Sequence, residues 1–355
     1  LKSPGDGPVR GGQYLGSTPD TVTWGYLPNA ASRPVVTVRG GESITVDTVS
    51  HEGVLEDQGR DPIEYFAGHG VKPDAVLTDA VAIAASDIEH DFDDDGPHVV
   101  TGPIAVRGAV RGDILKVDVL DLVLRTPYGI ISNRHGLGAL PGEFPEEHGS
   151  VMLFSPVEVR GGVLVGVLPF GDGRVVRFPL APFMGVMGVA PATTEKVHSV
   201  PPGAFGGNID VNLLTVGSSL YLPVQVDEAL FYVGDPHFAQ GDGEVALTAM
   251  EASLRGTFRF TVLRGSQATS AVGLLAQPFV ETEDAWVPVG LDVDLDEALR
   301  KAVRAAIAFL HETQAMPRHV ALAYLSAAAD FEISQVVDAV KGVHCVIRKR
   351  DFADR

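Results

Sequence analysis

Short β-branched runs, broken by glycines and polar turn residues, set the character of the first third of this 355-residue chain. Residues 35–39 are followed by Gly40 and Gly41 and then by a second run at 43–49; residues 104–107 and 114–124 repeat the pattern. Runs of this length with turns between them predict antiparallel strands and a sandwich or barrel-like core, because a half-buried strand needs a facing layer over its apolar side. Helical signals gather only near the end. Residues 296–310 carry acidic residues in the first turn and apolar residues at helical spacing, Pro317 can start a second helix over 318–329, and Ser334 can cap a short third one ended by Gly342. A last strand is expected at 343–347. The fold class is therefore mainly β: an antiparallel sandwich or barrel-like N-terminal lobe, and an α+β second lobe with β-hairpins and a few helices near the C-terminus.

The length exceeds the usual single-domain size, which predicts two closely packed lobes, 1–180 and 181–355. Within the first, residues 125–150 and 169–182 read as long loops. In the second, residues 244–263 read as a hairpin turning near Arg255 and Gly256. A net charge of −19 argues against nucleic acid and against anionic membranes, since both would repel it. The single cysteine, Cys345, excludes an intramolecular disulfide and a cysteine-rich zinc site. Its neighbours Val343, Val346 and Ile347 predict a buried strand position, where a thiol acts as a small hydrophobe. No window of about 18 uninterrupted apolar residues occurs, and the first residues lack the apolar core of a signal peptide. A cytoplasmic protein is expected.

Two clusters stand out from this scaffold: Gly203-Ala204-Phe205-Gly206-Gly207-Asn208-Ile209-Asp210, and Gly234-Asp235-Pro236-His237-Phe238-Ala239-Gln240-Gly241-Asp242-Gly243-Glu244. Residues 219–226 and 229–233 between them read as strands with a turn at Asp227 and Glu228, a pair that would return Asp210 and His237 to one end of a sheet. Glycines at 234, 241 and 243 permit close approach of the backbone to a ligand. One imidazole and several carboxylates lie among them, the groups that bind metals and move protons. Asp and Gly are also ordinary turn residues, so a metal-free acidic loop is the other reading.

These blocks resemble the acetamidase/formamidase family of amide hydrolases, which the run of Gly206–Asp210, the strand-like segment after it, the Gly234–Glu244 block and Thr248-Ala249-Met250-Glu251-Ala252 all match in order. The stretches at 99–119, 184–192, 325–330, 334–338 and 342–344 fit as well, so the resemblance covers most of the chain from about residue 35. Phe205 departs from a pattern in which His precedes the paired glycines, and it would make the pocket more apolar. The resemblance implies hydrolysis of a short linear amide such as formamide or acetamide to a carboxylate and ammonia, with a homo-oligomer as the assembly. Amide hydrolysis needs an activated water, a group that polarises the carbonyl, and a proton for the leaving amine. A divalent metal, with zinc the first choice, would serve the first two. Its candidate ligands are His237 and Asp210, with His51 and His98 at strand ends in the first lobe. Glu244 is the candidate general base, and Asp242 joins it in the catalytic set, orienting the loop as Asp235 does. Asn208, Gly207, Phe205 and Gln240 are the candidate substrate-binding residues.

Other chemistries fit less well. Asp91-Phe92-Asp93-Asp94-Asp95-Gly96 matches the first half of an EF-hand loop, but the twelfth position is Gly102 and no flanking helix is expected; a calcium site of another kind stays open. No Gly-x-Ser-x-Gly elbow and no Ser-Gly-Gly-Ser-Ser signature is present, which argues against a serine nucleophile. No Gly-x-Gly-x-x-Gly follows a strand and opens a helix, so no nucleotide cofactor is expected. The alternatives are a hydrolase of a bulkier amide or imide, and a non-catalytic small-molecule binding protein on the same fold.

Overall fold

A computed structural model describes residues 1–353, and two large sheets dominate it. The first has nine strands, running from Gln13–Leu15 and Ser43–Asp47 through Leu254–Leu263, Ile114–Leu124 and Ser219–Pro223 to Phe279–Glu281, Ala285–Asp292, Lys341–Arg348 and Asp330–Gln335. The second has eleven, with Phe231–Ala239 near its centre. Nearly every pairing is antiparallel; Gln13–Leu15 with Ser43–Asp47 and Val36–Arg39 with Val99–Arg107 are the parallel exceptions. The mainly β fold class expected from the strand runs is what forms. Both sheets draw strands from either side of residue 180, so the two lobes expected at 1–180 and 181–355 share one core.

That core lies between the sheets. Val46, Val117, Leu220, Phe258 and Phe260 come from the nine-stranded sheet, and Phe183, Met187, Phe231 and Val233 from the eleven-stranded one. The Phe231 ring lies 5.0 Å from Phe260 and 6.0 Å from Phe258. Each such fully buried side chain contributes about 1.5–3 kcal/mol of apolar transfer. On the outer side of the nine-stranded sheet, helix Leu295–Gln314 packs Ala298, Ala302 and Ala306 towards it. Asp294 caps that helix by accepting from the Glu297 amide. Helix Arg318–Ala328 follows, starting after Pro317 as the proline signal predicts.

Four local expectations are corrected. Residues 244–263 are not a hairpin about Arg255-Gly256: Leu254–Leu263 is one continuous strand in which Gly256 pairs with Val46 and with Leu122. The glycine makes room for the Phe258 ring, which a methyl group there would strike, so it marks tight packing rather than a turn. Ser334 caps no helix. It lies within strand Asp330–Gln335, and its hydroxyl is 2.8 Å from His344 Nδ1 on the partner strand. Helices are not confined to the end, because Pro62–Ala67 and Thr78–Ala84 form early, the first with Asp61 as its cap and Pro62 at its first position. The supposed long loops also contain strands, Tyr128–Arg134 and Val175–Pro179.

The two strand runs between the glycine-rich clusters are not a pair. Ser219–Pro223 lies in the nine-stranded sheet and Phe231–Ala239 in the other. Glu228, Ala229 and Leu230 all have positive φ (61°, 58° and 54°), and this left-handed segment carries the chain from one sheet to the other.

Candidate functional site

Strand Phe231–Ala239 positions the site because it changes neighbours along its length. On one edge it pairs with Phe183–Val189, with Phe183 opposite His237. On the other it pairs first with Val99–Arg107, up to Gly234 opposite Val100, and then with Met250–Glu251, where His237 faces Glu251. Asp235 falls at the switch between those two partners. His98 lies just before the strand that begins at Val99, and His51 follows Ser43–Asp47, so both first-lobe histidines arrive beside Asp235.

Three histidines and five carboxylates are thereby buried together: His51, His98, His237, Asp210, Asp235, Glu244, Glu251 and Asp338. His237 and His98 are each held at one ring nitrogen by a hydrogen-bond partner, and all three histidines present a nitrogen to Asp235. His237 Nδ1 is 3.0 Å from Gln240 Oε1, and its Nε2 is 3.0 Å from both Asp235 Oδ2 and Glu251 Oε1. His98 Nδ1 is 2.9 Å from Ser199 Oγ, and its Nε2 lies 3.7 Å from Asp235 Oδ2. His51 Nε2 is 3.5 Å from Glu52 Oε1, and its Nδ1 is 3.3 Å from Asp235 Oδ1 and 3.9 Å from Glu251 Oε2. Glu52 is itself anchored by the Ser132 hydroxyl at 2.7 Å and by the Gln58 amide.

The facing atoms are close without being aligned as hydrogen bonds. Both His51 nitrogens, His237 Nε2, Asp235 Oδ1, Glu251 Oε2 and both Asp210 oxygens are buried with no hydrogen-bond partner. Buried polar atoms are almost always paired, so this many unpaired ones pointing inward calls for a third body. Donor atoms of His51, His98 and Asp235 lie within 4.8 Å of one another, as do those of Asp235, His237 and Glu251, and those of Asp210, His237 and Glu244. Asp235 belongs to two of these sets.

The electrostatics agree. Burial raises the Asp210 carboxyl to about 6 and the Glu251 carboxyl to about 7, with Asp235 adding to both. Burial, with Asp210, Glu251 and Asp235 nearby, lifts Glu244 well above the usual carboxylate range. Burial likewise lifts Asp338, with Asp210 and Glu244 beside it. Burial opposes protonation of His51, yet Asp235, Glu52 and Glu251 outweigh it and raise that histidine to about 10. Burial lowers His98 to about 4. Five carboxylates against three imidazoles leave a surplus of negative charge, which protons or a cation must offset.

Backbone strain gathers at the same residues. Asp210 (φ 46°), Asp235 (φ 49°) and Glu244 (φ 46°) all adopt left-handed conformations that non-glycine residues seldom take. Beneath them lies Gly185, in strand Phe183–Val189. A methyl group there would come within 2.6 Å of Asp235 Oδ2 and 2.8 Å of the His237 ring, and would also strike Asp210. The cluster opens into a cavity of about 550 Å³ lined also by Asn208 and Arg134.

Most of the residues expected from the sequence come together. His237, Asp210, His51, His98 and Glu244 join one cluster, and Asn208 lines the cavity with its Oδ1 unpaired. Gly207, with φ of 82°, pairs with Met187 in the adjoining strand. Gln240 lies behind His237, donating to the carbonyls of Asp210 and Ser334 at 3.1 Å each. Phe205 packs with Leu27, Val186 and Tyr232 rather than lining the cavity. Asp242 does not enter the cluster. It is exposed, accepts from Asn212 Nδ2 at 3.1 Å, and stands near Glu332 and His344. The acidic loop at 91–96 turns on itself, with the Asp93 amide donating to Asp91 and Lys196 pairing with Asp95 at 2.5 Å. Glu251, Asp338, Glu52 and Gly185 were not singled out from the sequence. For Glu251 the available signal was a lone acid between apolar neighbours in a block that matched the family.

Comparison with known proteins agrees with this architecture. The sequence profile of the acetamidase/formamidase family matches residues 80–195 and 192–348. A formamidase from Methylophilus methylotrophus is 33% identical over 205 residues, covering 46% of this chain and 50% of that protein. An acetamidase from Mycolicibacterium smegmatis is 29% identical over 198 residues, 42% of this chain and 49% of that one. These matches thus span about half the length of the curated relatives. Crystal structures of acetamidases from Bacillus halodurans (TM-score 0.73, 24% identity, 96% of this chain and 98% of that one) and Yersinia enterocolitica (TM-score 0.75, 21%, 99% and 96%) share the fold.

Proposed function

The chain belongs to the acetamidase/formamidase family, and from that premise we propose that it hydrolyses the carbon–nitrogen bond of a linear primary amide to a carboxylate and ammonia. The observation that carries this reading is the convergence of three buried histidines on Asp235, beside a cavity, with the facing nitrogens of His51 and His237 unpaired.

Imidazole and carboxylate donors in a buried, acid-rich setting fit a divalent cation, and zinc suits them best. His51, His98, His237, Asp235 and Glu251 would hold it, with Asp210 adjacent. When bound, such an ion lowers the pKa of water from 15.7 to about 7, worth about 12 kcal/mol at 1.36 kcal/mol per unit. The side chains divide the remaining work. Glu244 is buried at the cavity wall, and burial raises its carboxyl above the usual range, as suits a group that both takes and returns a proton. It removes the proton from the attacking water as the new carbon–oxygen bond forms, and delivers it to the nitrogen as the carbon–nitrogen bond breaks. Asn208 Oδ1 is placed to accept an amide N–H. Gln240 and Ser199 fix the ring orientations of His237 and His98, as outer partners of ligating imidazoles do, and Glu52 stands 3.5 Å from His51 Nε2.

Among the described residues no helix is long and apolar enough to cross a membrane. A cytoplasmic location is part of the proposal, supported by the lone buried thiol of Cys345. So is a homo-oligomer, supported by exposed Val159, Val163 and Val176 on the outer strands of the eleven-stranded sheet and by Phe170 in the turn between two of them.

An ammonia-release assay on formamide, acetamide and propionamide, run beside Glu244→Gln, tests the reaction; elemental analysis of the purified protein tests the ion. Turnover lost in the variant and about one divalent ion per chain are expected. Absence of ammonia from every amide would overturn the hydrolase reading. Turnover that survives both a chelator and the lack of a bound ion would overturn the metal.

A further inference from the structure

Resting on that reading, we propose that the substrate is a primary amide whose acyl group is an apolar chain or ring of several carbon atoms, seated in the cavity in front of the histidine–aspartate cluster. Acetamide has four non-hydrogen atoms and fills on the order of 100 Å³, at about 30 Å³ for each water-sized group. The cavity holds about 550 Å³. It falls in the range of sites that enclose ligands of considerable size, and most of it would stay filled with water around the smallest amides.

The lining says what the remaining space accepts. Leu55, Phe92, Leu137, Val200, Leu247 and Val337 contribute apolar surface to the wall. Phe92 (39% exposed) and Leu137 (49%) hold large hydrophobic side chains open to solvent at this wall, an arrangement that is stabilised when an apolar group covers it. The charges discourage an anionic substituent. Asp235, Glu244, Glu251 and Asp338 line the deep end, and the sole arginine in the lining, Arg134, is already engaged by Asp57 at 2.8 Å and by Glu52 at 3.6 Å. A neutral acyl chain avoids that repulsion. The amide group lies at Asn208 and Glu244, and the chain extends from there along the leucine and valine wall.

The test is kcat/KM for ammonia release across formamide, acetamide, butyramide, hexanamide and phenylacetamide, in the wild type and in Leu137→Ser. We expect a rise of about threefold to fourfold for each methylene from acetamide to hexanamide. Leu137→Ser should raise KM for hexanamide about tenfold more than it raises KM for acetamide. Rates that stay level or fall beyond acetamide, while acetamide is still hydrolysed, would overturn the apolar acyl site and leave the amidase reading intact. Equal losses on acetamide and hexanamide in Leu137→Ser would also overturn it. No ammonia from any member of the series would overturn both.

Discussion

Two groups of buried charge lie in this molecule, and they are built on opposite plans. Around Arg125, two arginines meet two aspartates. Arg125 Nη1 is 2.7 Å from Asp79 Oδ2 and donates to the Thr48 carbonyl at 3.0 Å, while Arg255 grips both Asp47 oxygens at 2.6 and 2.9 Å. Formal charge cancels within the group, and backbone carbonyls of Lys2, Ser3, Asp6 and Thr48 take up further guanidinium donors. Around Asp235, acids outnumber bases, and the unpaired atoms turn inward. The first arrangement balances its charge as folded and ties the N-terminal segment to the sheet, although both Asp79 oxygens and Arg125 Nη2 lack an aligned hydrogen bond. The second balances its charge only with something else in it. Charge balance thus separates the two groups more clearly than burial or unpaired atoms do, since both groups have those.

The sharpest way to break the contrast is at Asp235, which all three histidines face. Asp235→Asn should cost several kcal/mol of transition-state stabilisation, on the order of 10³-fold in kcat/KM for amide hydrolysis at 1.36 kcal/mol per tenfold, with thermal stability little changed. Arg125→Ala should do the reverse. It leaves Asp79 without its cation, so unfolding free energy from urea titration should drop by about 3–5 kcal/mol, with kcat retained in the fraction still folded. A smaller effect is expected behind the cluster. Gln240→Leu removes the brace on His237 Nδ1 and should weaken divalent-ion affinity about 10–100-fold, measured by competition with a chromophoric chelator. The smallest concerns pH. The folded pKa of Glu251, about 7, exceeds its unfolded value near 4.5, so its contribution to the stability of chelator-treated protein is full below about 4.5 and is lost as pH rises through 7. Glu251→Gln should therefore be more stable than wild type at pH 8 by about 1–3 kcal/mol, and the difference should shrink towards pH 5. A wild type that outlasts the variant at pH 8 without metal would mean that the carboxylate is structurally satisfied, like Asp47 beside Arg255.

How much of this could be read from the sequence follows from where each side chain sits. His237, Asp210 and Glu244 were legible because each lies within one of the two glycine-rich polar blocks. His51 and His98 were legible as strand-end residues, though only folding shows that both strands end beside Asp235. Glu251 was not, because it sits among Ala249, Met250 and Ala252, which read as core, and its partnership with His237 arises across the strand pair. Gly185 looks like any small residue in an apolar strand until a methyl group is placed on it. Asp242 misled for a local reason. It is two residues from Glu244, but the positive φ of Gly243 and Glu244 turns the two carboxylates apart, one to solvent and one inward. The sandwich itself was plain from the strand runs. Gly256 was mistaken for a turn because a glycine that admits a neighbouring ring and a glycine that bends the chain are the same letter.

The parallel bridge between Gly243 and Gln335, closed by the Gly243 amide on the Ser334 carbonyl and the Val336 amide on the Gly243 carbonyl, has a consequence for the order of synthesis. Strand Asp330–Gln335 is itself completed by Lys341–Arg348. Glu244 therefore gets its final backbone conformation only after the ribosome has delivered a segment about a hundred residues downstream. His51, His98, Asp235 and His237 all lie upstream of that segment, so the loop carrying the candidate base is the part of the cluster whose backbone contacts await the last hairpin.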